Sequence, residues 1–303
     1  VWFDAPIGYI SSTKEWAAKN KKDWEVYWKD EETELVHFIG KDNIVFHCII
    51  FPSMLEAHGE FVLPKNVPAN EFLNLEGEKI STSKNWAVWI HEYLQDFPNK
   101  EDVLRYVLTS NMPETKDSDF TWRDFQAKNN NELVAIYGNF VNRVIVLINK
   151  YYLGEIPTPS FYTNEDREIL SSVKVIKDNI SSAIERFRFR ESNSEMMNIA
   201  RIGNKYLADN EPWKQIKNNP DRTKTILFIS IQIVSALAYL SEPFLPFTSL
   251  KLKGILGVEK QLKWKEILNF NIIKSGHRIN KSSFLFDKIE DNEIVNQCKK
   301  LNF

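Results

Sequence analysis

Leu35-Val36-His37-Phe38-Ile39-Gly40-Lys41-Asp42 decides how the first third of this chain is read. An apolar run of strand length ends on a glycine turn, and helical spacing follows from Ile44 to His58. Such a run reads as a buried parallel strand, because parallel strands are covered on both faces and joined by helical crossovers. Pro52 lies inside the helical stretch, so the helix continues, bends or restarts there. Residues up to about Ser118 therefore read as mixed α/β. The glycine turn falls at the expected carboxyl edge of the sheet, where nucleotide sites form. Gly40 allows close backbone approach. Asp42 suits either ribose hydroxyls or an ammonium group, and it also suits a capping role for the following helix.

Upstream, Trp2-Phe3-Asp4-Ala5-Pro6-Ile7-Gly8-Tyr9 reads as a strand end opening into an aromatic-lined turn. Pro6 restricts Ala5 to extended geometry, and Gly8 permits an unusual turn. That suits a small apolar ligand, or equally an edge strand packed on a core. Downstream, the extended stretch Glu71-Phe72-Leu73-Asn74-Leu75 leads into Gly77-Glu78-Lys79-Ile80-Ser81-Thr82-Ser83-Lys84. Two lysines and three hydroxyls in eight residues can bind phosphate oxygens; the bland alternative is a solvated surface turn. From Trp86 to Asn111 the spacing turns helical, with Asp102, Val103, Arg105, Tyr106 and Leu108 forming an amphipathic piece.

From about Asn129 the pattern becomes all-helical. Leu133, Ile136, Tyr137, Phe140, Val144, Leu147 and Tyr151 follow one helix face over five turns, and Gly154 and Pro157 stop that helix. Further helical runs are expected at about Glu165–Arg188, Ser192–Asp209 and Thr223–Leu240, with Pro243 and Pro246 closing the last. Four long helices with short breaks read as an antiparallel bundle. A mixed tail beyond Trp264 ends in a charged amphipathic helix over about Asp291–Leu301.

The 303 residues suffice for two domains with real cores. Apolar residues at 43% and charged residues at 26% describe an ordinary globular chain. No run of about 18 apolar residues appears, so no transmembrane helix and no membrane partner are expected; the start carries no secretory pattern. The net charge of −2 argues against a generic polyanion-binding surface but leaves room for local recognition of unpaired bases. Cys48 and Cys298 stand far apart without C-x-x-C spacing, so no protein-bound metal is expected. Two isolated cysteines also fit a reducing, cytoplasmic compartment.

Read in order, several segments resemble methionyl-tRNA synthetase, a class I aminoacyl-tRNA synthetase. They are W-F-D-A-P-I-G-Y (Trp2 to Tyr9), H-F-I-G-K-D-N-I-V-F-H (His37 to His47), K-I-S-T-S (Lys79 to Ser83) and D-F-T-W (Asp119 to Trp122). G-N-F-V-N-R (Gly138 to Arg143), E-P-W (Glu211 to Trp213) and G-H-R-I-N-K (Gly276 to Lys281) complete the series. The family's H-I-G-H motif and zinc knuckle are absent, so the chain resembles a carboxy-terminal portion that begins inside the catalytic domain. Its usual K-M-S-K-S loop is altered, with Ile80 second and Thr82 fourth. Lys79 is then the clearest cation, with Lys84 a candidate substitute.

The resemblance implies an ATP-dependent ligase that activates methionine and charges tRNA(Met), initiator tRNA included. The implied order is the second half of a Rossmann-like catalytic domain (1–85), a stem-contact connector (86–128), a helix-bundle anticodon-binding domain (129–265) and a carboxy-terminal tail (266–303). Lys79 is implied as the catalytic phosphate clamp, with Gly40, Asp42, Ser81, Thr82 and Ser83 around ATP and Mg²⁺ carried with the nucleotide. Trp2, Ala5, Pro6, Tyr9, Phe46 and His47 match the methionine pocket, and Ile50 and Phe51 are close enough to add packing. Asn139, Arg143 and Trp213 match the C-A-U anticodon readers. Without the H-I-G-H half this segment is expected to be inactive alone. The competing readings are a stand-alone tRNA-binding fragment and a sibling class I synthetase.

Overall fold

The run from Leu35 forms two short strands. Leu35–Val36 pairs in parallel with Pro64–Asn66, and Ile39–Gly40 pairs in parallel with Ala69–Asn70. The expected unbroken strand is interrupted at His37 and Phe38: His37 is buried, whereas Phe38 is 57% exposed. The register shifts between Leu35 and Val36, where Lys65 is the extra residue of a bulge on the partner strand, and is constant from there to Gly40. The computed structural model describes residues 5–258, 262–267 and 272–301. It divides into two units. One takes the chain as far as Asn74 together with Pro113–Ser118, and the other comprises Leu75–Met112 and the chain from Asp119 onward.

In the first unit the expected turn at Gly8 is replaced by a helix, Ile7–Asn20. Gly8 N–H donates to the Ala5 carbonyl at 3.0 Å, and Tyr9 N–H to the Pro6 carbonyl at 3.1 Å. Ala5-Pro6 thus makes the turn, since proline fits a helix start, where its missing N–H has no partner to lose. The helical stretch after Gly40 does continue through Pro52. It runs as a 3₁₀ turn (Lys41–Asn43), a π-wound turn (Phe46–Ile50) and an α-helix (Phe51–His58). Phe51 N–H reaches back five residues to the Phe46 carbonyl. Widening the turn accommodates a proline that cannot donate and would crowd the carbonyl four residues back. Ile10, Trp28, Phe51 and Leu55 form this unit's core, flanked by Trp24, Leu35 and Phe61.

Leu73–Leu75 is the middle strand of a three-stranded sheet, between Glu78–Lys79 and Ser118–Phe120. The helical spacing read over 86–111 resolves into two helices, Ile90–Asp96 and Glu101–Ser110. Beneath them Phe97, Phe120, Trp122 and Phe125 pack ring on ring, with centroids 5.2–6.1 Å apart.

The bundle's first helix begins earlier than Asn129. Thr121 accepts from Asp124 N–H as its cap, and the helix runs Trp122–Tyr152 with a π-wound stretch over Asn129–Gly138. The position 128/129 therefore lies inside one continuous helix. Asn164–Glu185, Phe189–Asn210 and Pro220–Leu240 follow, close to the runs read from spacing. Pro246 does not close a helix but opens another, Pro246–Leu256, because proline is well placed in a first turn.

Trp122–Tyr152 and Pro220–Leu240 are long and apolar enough to cross a membrane by length and composition, a property not apparent from a search for unbroken apolar runs. The most apolar window of Pro220–Leu240 is 94% buried among its neighbours. A helix enclosed on all sides is apolar all round.

After the bundle the tail returns along the first helix. Asn149 Nδ2 donates to the Asn280 carbonyl at 3.2 Å, Ser282 bonds Asn142, and Asn130 Nδ2 donates to the Ile289 carbonyl at 2.9 Å. The helix Asp291–Leu301 ends the described chain. Its Gln297 and Lys300 both reach Asp96, at 2.8 and 2.5 Å.

Candidate functional site

The residues matched to an amino-acid pocket gather where the Ile7–Asn20 helix meets the π-wound turn. Tyr9 and His47 hydrogen-bond through the hydroxyl and Nε2 at 2.9 Å, and His47 Nδ1 lies 3.0 Å from the Asn43 carbonyl. A carbonyl only accepts, so Nδ1 carries a proton; in the neutral ring Nε2 then accepts from Tyr9. His47 is thus satisfied at both nitrogens and buried, as a polar wall residue must be.

Two further rings close this cluster. His37 lies 5.4 Å from Tyr9 and 5.3 Å from His47, and Phe51 lies 5.8 Å from His37 and 6.3 Å from Tyr9. Burial, with the neighbouring His47 second, pushes the His37 imidazole below its ordinary value, so it is neutral at neutral pH. Its Nε2 is buried without a hydrogen-bond partner. Phe46 sits half-buried in the π turn beside His47, buried Pro6 and exposed Ala5 precede Tyr9 by one turn, and Trp2 lies outside the described residues.

Gly40 faces the Asp42 carboxylate: an added Cβ would lie 2.8 Å from Oδ1, a contact that the exposed Asp42 side chain relieves by rotating. Asp42 makes no capping hydrogen bond to the helix after it, so the capping alternative is not realised, and its side chain is exposed. Lys41 is committed elsewhere, to Glu71 at 2.5 Å and Asp117 at 2.8 Å. These bonds, Asp117 first, raise its pKa.

The Lys79 loop belongs to the second unit. Glu76 (φ 50°) and Gly77 (φ 81°) form a tight hairpin turn of the kind that demands positive φ twice. Gly77 N–H donates to both carboxylate oxygens of Asp119 at 3.0 Å, Glu76 N–H to the Phe120 carbonyl at 2.9 Å, and Trp122 N–H to Glu76 Oε1 at 2.7 Å. The D-F-T-W segment is therefore the hairpin's scaffold.

Past the hairpin, Ser81 and Trp86 exchange two backbone hydrogen bonds at 2.9 Å, and Trp86 Nε1 donates to the Leu75 carbonyl at 2.9 Å. Between these anchors Thr82–Lys84 turn as a 3₁₀ helix, with Ser81 and Ser83 hydroxyls 3.2 Å apart. Lys79, Ser81 and Lys84 line a cleft of about 690 Å³ with Glu78, Ile80, Trp86 and Leu301. The lysines and Ser81 thus share one concave surface, and Thr82 and Ser83 stand exposed beside it. Glu76, Trp86 and Asp119 were not singled out from sequence, although Asp119 sits in a quoted motif.

In the bundle, Arg143 and Trp213 meet although 70 positions separate them: the guanidinium lies 5.0 Å from the indole centroid. Asn139, exposed, is one turn before Arg143 on the same helix. Trp213 is presented by a four-residue helix, Pro212–Gln215, entered through Glu211 at φ 38°. Behind it, Arg222 NH2 donates to Asn210 Oδ1 at 2.7 Å and to Asp166 Oδ1 at 2.9 Å, and Tyr206 donates to the same carboxylate at 2.6 Å. The G-H-R-I-N-K segment is a clasp: Gly276 and His277 exchange backbone bonds with Ile156, and Ile279 N–H donates to the Gly154 carbonyl.

Comparisons with known proteins agree along the whole chain. Residues 1–145 match the family described as tRNA synthetases class I (M), and residues 156–302 match the anticodon binding domain of methionyl tRNA ligase. Similar curated proteins are the methionine–tRNA ligases of Flavobacterium johnsoniae (61% identical), Flavobacterium psychrophilum (62%) and Christiangramia forsetii (63%). Each match covers 99% of this chain, which spans 46%, 44% and 44% of those proteins respectively.

The fold is shared with Mycobacterium tuberculosis methionyl-tRNA synthetase. Its free form aligns with a TM-score of 0.76 at 20% identity, over 86% of this chain and 50% of that one. Its complex with methionyl-adenylate aligns with 0.78 at 22%, over 84% and 50%. With a class I match over its first half and a methionyl anticodon-binding match over its second, the chain belongs to the methionyl-tRNA synthetase family and corresponds to the carboxy-terminal part of the catalytic region plus the anticodon-binding domain.

Proposed function

We propose that this chain supplies part of the methionine pocket, the phosphate-handling loop and the anticodon reader of an enzyme that forms methionyl-adenylate from methionine and ATP. The enzyme then charges tRNA(Met), initiator tRNA included, in the cytoplasm. The observation that carries the reading is the Arg143–Trp213 pair with Asn139 one turn away. An amide, a guanidinium and a flat ring on one face provide base-edge hydrogen bonds, a phosphate contact and a stacking platform.

In the pocket, the thioether of methionine packs against Tyr9, His47 and the rings behind them, where sulfur–aromatic contacts favour it. Ala5, Pro6 and Phe46 complete the described wall. Asp42 and the open backbone at Gly40 hold the ribose or the ammonium group. In activation a methionine carboxylate oxygen bonds to the α-phosphorus as the bond to pyrophosphate breaks. No proton need move, so in-line positioning and charge stabilisation supply the rate. Lys79 holds the pyrophosphate charge, Lys84 takes the share of the lysine that Thr82 replaces, and Ser81, Thr82 and Ser83 donate around it. Mg²⁺ enters with ATP as part of the substrate.

The test compares Lys79→Ala and Trp213→Ala in the full-length polypeptide. Lys79→Ala slows methionine-dependent ATP–pyrophosphate exchange with tRNA affinity kept. Trp213→Ala leaves exchange intact and weakens charging by roughly 5- to 150-fold, the equivalent of a stacked base worth about 1–3 kcal/mol. Loss of exchange on Trp213→Ala, or equal exchange with isoleucine or leucine, overturns the assignment.

A further inference from the structure

The groove beside Asn139 extends the reader's face along the first bundle helix. Its walls are Asn131, Asn139 and Asn142 on the helix and Phe284, Phe286 and Lys288 on the returning tail, around a volume of about 590 Å³. Phe286 is buried edge-on against Tyr137, ring centroids 5.6 Å apart. Phe284 is 71% exposed. Its position is nonetheless fixed, since Lys251 Nζ donates to its carbonyl at 2.6 Å and Ser282 is bonded to Asn142. A large ring held in water on an anchored backbone is an unpartnered platform.

We propose that this groove binds an unstacked nucleotide of the tRNA outside the anticodon triplet, with Phe284 as the stacking face. Two observations select nucleic acid as the occupant. Asn139 lines the groove and also stands one turn from Arg143 on the same helix, so a strand on the reader passes directly onto it. Over an apolar floor of Val134 and Ala135, the lining offers the Asn131 and Asn139 amides for base edges, an aromatic face, and Lys288 for a phosphate. The groove also joins the class I segment, which supplies Asn139, to the anticodon-binding segment, which supplies Phe284. A nucleotide held here bears on both.

This inference rests on the reading of Asn139, Arg143 and Trp213 as tRNA contacts, and its test separates the two. The full-length enzyme is assayed with tRNA(Met) as Phe284→Ala, Phe284→Tyr and Lys288→Ala, with Trp213→Ala alongside. Phe284→Ala raises the KM for tRNA about 5- to 150-fold with exchange unchanged, as loss of one stacked base requires. Phe284→Tyr restores it, and Lys288→Ala lowers the salt slope of binding by about one.

If Trp213→Ala weakens charging while Phe284→Ala does not, the groove proposal is wrong and the reader stands. If neither weakens it, the reader itself is wrong. A shift of oligomeric state on Phe284→Ala with KM unchanged makes the groove a protein–protein surface and also overturns the proposal.

Discussion

Replacing Arg222 with methionine removes the cation from the most buried ion pair among the described residues of the bundle while keeping most of the side-chain volume. Asp166 is fully buried and Arg222 is 7% exposed. The carboxylate receives two guanidinium bonds, the Tyr206 hydroxyl and the Thr163 backbone N–H. Removing one partner from such a pair costs about 3–5 kcal/mol, because the remaining charge is left in a poorly solvating interior. With an ordinary urea m-value of about 1–3 kcal/mol/M, the unfolding midpoint falls by at least 1 M.

The pH dependence provides a second check. Burial pushes Asp166 up, but the hydrogen bonds from Arg222, Tyr206 and Thr163 together hold it below the usual carboxylate value. A depressed carboxylate stabilises above its unfolded pKa, about 3.9, and loses that contribution as pH falls through the folded value. In Arg222→Met the burial is unopposed by the guanidinium, so the variant regains stability by protonating Asp166 as pH falls. The gap between wild type and variant is therefore widest near neutrality and narrows toward pH 4. Urea denaturation followed by far-ultraviolet circular dichroism across that range reads it. A loss under 1 kcal/mol at pH 7, or a gap that widens in acid, refutes the assignment.

Two further outcomes follow from single contacts. Tyr9→Phe removes the hydroxyl bonded to His47, a hydrogen bond worth about 0.5–1.5 kcal/mol. It raises the KM for methionine in exchange about 2- to 12-fold, read against an unchanged KM for ATP. Gly203→Ala forces a methyl group to 2.3 Å from the Phe140 ring, and overpacking of this kind costs about 1–3 kcal/mol. The thermal midpoint falls by several degrees, and a midpoint within a degree of wild type contradicts the packing.

Periodicity located the bundle's outer helices because each carries a continuous apolar stripe that packing buries, whereas Pro220–Leu240, apolar all round, is found by its length and its bounding prolines. It failed where proline or glycine had two meanings. Pro246 reads as a stop yet begins Pro246–Leu256, and Gly8 reads as a turn yet lies in Ile7–Asn20. Both errors arise because these residues mark a change of backbone state without giving its direction. The interruption at His37 and Phe38 was hidden for another reason. An apolar run reports hydrophobicity, not regular pairing: His37 N–H donates to the Asn66 carbonyl and Ile39 N–H to the Pro68 carbonyl, both at 3.1 Å, yet strand geometry is kept only at Leu35–Val36 and Ile39–Gly40.

The candidate sites divide along the same line. Lys79, His47 and Trp213 are named as candidates through the family resemblance, because a lysine turn, a histidine on an apolar helix and a tryptophan at a helix start each have a purely structural reading of their own. The groups that aim them belong to the fold. Asp119 accepts Gly77 N–H forty-two positions away, and Arg222 fixes Asn210, which precedes the turn that presents Trp213. His37 makes the point most sharply. It passes as a strand residue in sequence, and only the pairing that seats it beside Asn66, with Phe38 on the opposite face, brings it against Tyr9 and His47. The side-chain period of a strand is two, so the face that buries His37 against Tyr9 and His47 is the same one that leaves Phe38 exposed, and which face that is depends on the partner strand rather than on the run itself.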